Sequence, residues 1–119
     1  MNECLNCRST LVLEKLHCET CEVAYTGEFQ LPRLARLSPT EQQLVEQLVL
    51  ASGNLKQMAA SLDISYPTLR KRLDELVDSL GALRANDDAR AEGYLKQVEA
   101  GSLTPETAAR RIQELNGAI

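Results

Sequence analysis

Cys4-Leu5-Asn6-Cys7 and Cys18-Glu19-Thr20-Cys21 form two thiol pairs with ten residues between them, and these are the only cysteines in the chain. A C-x-x-C pair can wrap a tight knuckle that presents two thiolates to one ion, and two knuckles complete a tetrahedron. Zinc suits such a shell because it accepts soft sulfur ligands and has no redox chemistry of its own. One Zn2+ per chain is therefore expected on Cys4, Cys7, Cys18 and Cys21. With four protein ligands no position stays open for water, so the expected role is structural. Disulfides, unliganded redox thiols and an iron or iron–sulfur centre remain as alternatives on spacing alone. His17, the sole histidine, adjoins Cys18 but meets a shell that the thiolates already fill. A ribbon of about thirty residues buries too little apolar surface to fold unaided, and metal binding would supply the missing free energy.

A second chemistry-bearing stretch is GNLKQMAASLDISYPTLRKRLDEL at residues 53–76. Two short helices joined by a tight turn bring Met58, Ala59, Leu62, Ile64, Leu69 and Leu73 together, and the small Ala59 and Ala60 permit close approach. The start of the second of these helices is then free to enter a major groove. With Leu69 at 0° and a step of 100° per residue, Lys71 falls near 200° and Thr68 near 260°, away from the apolar stripe. Lys71 and Thr68 are the candidates for base edges; Arg70 and Arg72 flank the stripe and suit phosphates. Ser65 and Tyr66 at the helix start, where free N–H groups favour a phosphate, and Lys56 on the preceding helix complete the candidate set. Asp74, Glu75 and Asp78 follow at once and confine docking to the first two turns. The alternative for this stretch is a plain helical protein-interaction module with an incidental Arg-Lys-Arg run.

The elements that must position these residues follow from pattern. Residues 1–30 read as a zinc ribbon with strands at Thr10–Glu14 and Val23–Phe29. Residues 31–37 form a connector in which Pro32 keeps Leu31 extended and Leu31, Leu34 and Leu37 recur every third residue. Residues 38–81 read as a three-helix unit. The first helix has a capping box at Ser38 and Glu41, with Pro39 at its first position, and stops at Ser52-Gly53. The second is capped by Asn54, and the third carries Leu69, Leu73, Leu76, Val77 and Leu80 and ends at Gly81. Residues 82–119 begin with a polar, alanine-rich piece, a linker or a continued helix. A helical hairpin follows, turning at Gly101-Ser102 and restarting at Thr104-Pro105, with Ala108, Ile112 and Leu115 inward. The expected fold is thus mainly α, with a small N-terminal β ribbon.

Composition and charge narrow the function. One Phe, three Tyr and no Trp leave an aliphatic apolar set, which favours helices over a sandwich or barrel. Net charge is −4, but residues 33–72 carry Arg33, Arg36, Lys56, Arg70, Lys71 and Arg72 against Glu41, Glu46 and Asp63, while both flanks are acidic. A local basic face, not a wholly basic surface, is what this allows for nucleic acid. No apolar run is long enough to span a membrane and no secretory signal is visible, so the expected location is cytoplasmic.

Gly53-Asn54, Ala59-Ala60, Leu62, Ile64-Ser65, Thr68-Leu69 and Leu73 resemble the helix-turn-helix of factor-for-inversion-stimulation and enhancer-binding activator proteins. Asp63 stands where such motifs often have Gly, and Asp tolerates the left-handed conformation better than most residues. Across residues 4–81 the chain is also similar to a bacterial family catalogued as domain of unknown function 2089. There a C-x-x-C ribbon runs through G-E-F-x-L-P-x-L (here Gly27 to Leu34) and L-S-P into this helix-turn-helix. The resemblance implies a transcriptional regulator and places Ser65, Tyr66, Thr68, Arg70, Lys71 and Arg72 on the recognition helix. Residues 98–106 resemble short C-terminal helical hairpins of bacterial envelope-stress and oligomerising proteins.

The expectation is a zinc-stabilised regulator that binds double-stranded DNA as a homodimer, with the C-terminal hairpin as dimer contact. The alternative is an adaptor that docks on transcription machinery or a stress-response partner without binding DNA. An enzyme is not expected, because the sequence shows no nucleophile–base pairing and no phosphate-cradling loop.

Overall fold

The computed structural model describes residues 3–116; Met1, Asn2 and 117–119, at the ends of the first and last expected segments, lie outside it. The chain is mainly helical. Strands β1 (Leu13–His17) and β2 (Ala24–Phe29) form an antiparallel hairpin. A 3-10 turn follows at Arg33–Arg36, and then come α1 (Pro39–Leu50), α2 (Leu55–Leu62), α3 (Tyr66–Glu99) and α4 (Pro105–Leu115).

The first strand sits later than expected. Its register pairs His17 with Ala24 and Lys15 with Thr26, so the hairpin closes directly over the second cysteine knuckle. The strand must abut Cys18 to do this, which moves it from Thr10–Glu14 to Leu13–His17. Thr10 instead bridges to Glu3 around the first knuckle.

Local chemistry sets the helix ends. Ser38 Oγ accepts from the Glu41 amide at 3.2 Å while the Ser38 amide donates to Glu41 Oε1 at 3.0 Å, a complete capping box. Hydrogen bonding from Ser79 and Ser38 holds the Glu41 carboxyl below its ordinary pKa. Gly53 takes a φ of 76° just beyond α1, and Asn54 Oδ1 caps α2 through the Gln57 amide at 3.1 Å. The core joins Leu37, Met58, Ala59, Leu69, Leu73 and Leu76, with Leu44, Val45, Leu48 and Leu62 packed against it. Of the connector leucines only Leu37 enters this core, where Gln42 of α1 fixes its carbonyl at 2.9 Å; Leu34, inside the 3-10 turn, stays exposed.

The third helix does not end at Gly81. It runs for 34 residues through the whole alanine-rich stretch, which is continuous helix and not a linker. Gly81 keeps ordinary helical φ, and Ala82, Leu83, Arg84 and Ala85 beyond it are good helix formers with no competing cap. A second anchor then holds the distal half. Asp87 accepts from Arg36 Nη1 and from Arg33 Nε, each at 2.8 Å. Arg33 also donates to Asn116 Oδ1 beyond α4 at 3.2 Å, and Arg90 reaches Gln30 Oε1 at 3.2 Å.

Helix α4 folds back on α3 and buries Ala108 and Leu115, and the Arg111 guanidinium lies over the Tyr94 ring at 5.6 Å. Within the chain, then, the apolar face expected to serve as a dimer contact is already covered by α3. The strands pack chiefly on each other, and the radius of gyration is 18.1 Å. A compact domain of this length would measure about 13 to 14 Å, so the molecule is drawn out. Among the described residues no helix is long and apolar enough to cross a membrane.

Candidate nucleic-acid interface and cysteine knuckles

Helices α2 and α3 meet through a three-residue turn in which Asp63 adopts φ 54° and ψ 46°. This is the left-handed conformation that the helix C-cap requires, supplied by Asp where Gly is commoner. The amides of Asp63 and Ile64 close the turn on Ala60 and Ala59 carbonyls at 3.2 and 3.1 Å. Ser65 then opens α3, its Oγ accepting from the Thr68 amide at 3.3 Å, and Pro67 sits in the first turn where its missing N–H costs nothing.

On this start of α3, Leu69 is wholly buried while Tyr66, Thr68, Arg70, Lys71 and Arg72 are exposed. Lys56 is exposed on α2. All seven candidate residues, Ser65 included, thus lie at the surface of one helix-turn-helix, but their surroundings differ. Ser65 and Thr68 share a hydroxyl–hydroxyl bond of 2.8 Å, so both side chains are engaged in the cap. Arg70 lies 3.6 Å from Asp74 on the same helix. Arg72 turns toward α1 and lines an open groove with Glu41, Glu46 and Glu75. Lys71 forms no ion pair among those found in the described residues.

The basic patch is smaller than the charge count implied. Arg33 and Arg36 belong to the positive middle of the sequence, yet both are spent on Asp87, with side chains 21% and 8% exposed. No pattern in the sequence could have shown this, because the carboxylate lies in another segment and its charge reads as one more solvated acid.

The two cysteine pairs adopt the same local geometry. In the first, the Cys4 amide donates to Ser9 O at 2.8 Å and the Arg8 amide to Cys4 O at 2.9 Å; in the second, Cys18 donates to Val23 O and Glu22 to Cys18 O, both at 2.8 Å. Arg8 and Glu22, each four residues after the first cysteine of its pair, take φ values of 63° and 62°. Hydrogen bonding from Ser9 holds the Cys7 thiol below its ordinary pKa, and the Cys21 and Thr20 amides do the same for Cys18. The donor set therefore has the chemistry of a thiolate site: two matching knuckles, soft ligands and amides that favour the anion. Among the described residues no three Cys, His, Asp or Glu side chains are arranged as a single shell.

The fold around α2 and α3 defines a helix-turn-helix protein. Residues 37–83 match the family model described as Domain of unknown function (DUF2089)-HTH. The matched residues take in α1, α2 and the first half of α3, and leave the ribbon and α4 outside. No curated protein and no solved structure gives a significant match.

Proposed function

We propose that the chain is a zinc-stabilised, DNA-binding transcriptional regulator that docks the first two turns of α3 in the major groove of double-stranded DNA. The observation that supports this most is the division of α3 at its start: Leu69 and Leu73 are locked in the core, while Tyr66, Thr68 and Lys71 project from the capped tip. Such a tip is rigid and stands clear of its own domain, as groove entry demands. Lys71 is the leading candidate for a base contact. Arg72 and Lys56 suit phosphates. Asp74, Glu75 and Asp78 limit penetration to the tip.

The ribbon would hold one Zn2+ on Cys4, Cys7, Cys18 and Cys21, and closure of the shell requires the two knuckles to converge. The protein would act as a homodimer, since one short recognition helix offers few contacts and paired half-sites multiply them. Selection of bound fragments from random duplex DNA is the test. Enrichment of a recurring half-site that Lys71→Ala abolishes is expected; recovery of unenriched sequence by the wild-type chain would reject the reading.

A second reading has one specific observation in its favour. Leu11, Val12, Leu16, Val23 and Tyr25 are exposed on the ribbon, an apolar surface suited to a protein partner such as transcription machinery. Capture of such a partner without retardation of DNA would favour it.

A further inference from the structure

One face of α3 is open along its middle. Arg70, Asp74, Val77, Gly81, Arg84 and Asp88 are all exposed. On the helical count used above they fall between about 60° and 140°, a single stripe lying beside, not on, the Thr68–Lys71 face. Their spacing alternates four and three, the seam of a helix pair. Val77 is 67% exposed in the centre of this stripe. Gly81 is a glycine in a helix interior, where it weakens the helix, and among the described residues nothing outside its own stretch of helix lies within 4 Å of the Cβ it lacks. Intramolecular packing therefore gives no reason for a glycine at this position.

The order of chemistry along the stripe is Arg, Asp, Val, Gly, Arg, Asp. Read backwards against itself it is complementary at every position. Arg70 meets Asp88, Asp74 meets Arg84, and Val77 meets Gly81, where the missing side chain leaves room for the valine. We infer that this face is the surface on which a second copy of the chain packs, its α3 antiparallel and related by a twofold axis near residue 79. Exposed Leu34 stands beside it, in the shallow groove that Pro32, Val77, Leu80 and Arg84 also line, and extends the apolar contact.

This inference deepens the homodimer of the proposed function and rests on that reading for its DNA geometry. Thr68 and Lys71 lie eight to eleven residues from the crossing point. At a rise of 1.5 Å per residue the two tips stand about 24 to 33 Å apart along the helices. The separation of half-sites one DNA turn apart is about 34 Å. A twofold axis perpendicular to the plane of the pair also leaves both recognition faces on the same side, where one straight duplex can meet them.

Sedimentation of the full chain without DNA tests the interface separately from DNA binding. A reversible dimer is expected, with Val77→Glu and Gly81→Leu each weakening it at least about tenfold. Both variants should keep the wild-type helix signal, because both positions are exposed in the single chain. Arg84→Asp should weaken the dimer, and adding Asp74→Arg to it should restore most of the affinity. A wild-type chain that stays monomeric at about 100 µM would overturn the inference, as would a dimer indifferent to Val77→Glu and Gly81→Leu. A dimer that responds to these variants but never retards DNA would uphold the interface and reject the DNA reading alone.

Discussion

The carboxylate of Asp87 lies 2.8 Å from Nη1 of Arg36, 51 residues earlier in the chain, and both side chains are almost withdrawn from water. Arg33 completes the cluster from the other end of the same 3-10 turn. The cluster fastens the connector to the distal half of α3, so the path from ribbon to helix-turn-helix is fixed at two points: the Leu37 side chain in the core and this charged clamp. A buried ion pair gains little over a well-packed apolar isostere, but removing one partner strands the other charge.

Asp87→Asn should therefore destabilise the chain by about 3 kcal/mol, because two guanidiniums lose their counter-charge in a poorly hydrated position. Arg36→Met should cost more than Arg33→Met, since Arg33 retains more solvent and a second partner in Asn116. Urea denaturation followed by circular dichroism would measure both differences. Equal losses at the two arginines would show that burial does not rank them.

The same clamp sets a pH dependence. Burial pushes the Asp87 carboxyl up, but hydrogen bonds and charge from Arg36 and Arg33 outweigh it and hold the folded-state pKa below the ordinary value. A depressed carboxylate contributes stability that is complete above its unfolded pKa of about 3.9 and is lost as pH falls through the folded value. Urea midpoints measured from pH 7 downward should fall on the acid side of pH 4 more steeply in the wild type than in Asp87→Asn. Parallel curves would remove Asp87 from the acid limb.

At the helix-turn-helix corner, Asp63 holds a φ of 54°. Asp63→Val, whose branched side chain resists that conformation, should cost about 1 to 2 kcal/mol, whereas Asp63→Gly should be nearly neutral. Thermal melts of the three proteins would reveal the order, and an undiminished melting temperature for the valine variant would mean the corner can rearrange.

For the ribbon, one zinc per chain should be found by elemental analysis of protein purified without chelator, and Cys4→Ser or Cys18→Ser should abolish it. Chelation should unfold the ribbon while leaving the helical signal largely intact, because the strands pack chiefly on each other. Collapse of the helices with the metal would indicate that the ribbon supports the whole fold.

Much of this architecture was legible in the sequence where local chemistry governs it. Ser38 with Glu41, Gly53 with Asn54, the Asp63 corner and the Gly101-Ser102 turn each act within a few residues, and each marks an element end that the structure contains. What escaped depends on distant partners. Gly81 looks like a stop only until Asp87 is seen anchored to Arg33 and Arg36; with that anchor the helix carries on through it. The first strand moved because its register is set by the hairpin over Cys18, not by its own apolar residues. The surface residues of the α3 tip were visible as a group, but the Ser65–Thr68 bond and the turn of Arg72 toward α1 depend on how the helices pack.

If the tip of α3 meets phosphate and base edges, duplex affinity must depend on salt, and that dependence can be measured. For the wild type, log affinity should fall linearly with log salt, and Lys71→Ala should weaken binding and reduce that slope by about one if the side chain neutralises a phosphate. If Lys71 instead reads a base, the loss should concentrate on the selected sequence with the slope nearly kept. Duplex binding that is unaffected by Lys71→Ala on every sequence, or absent from the folded wild-type chain at low salt, would rule out DNA recognition by this tip.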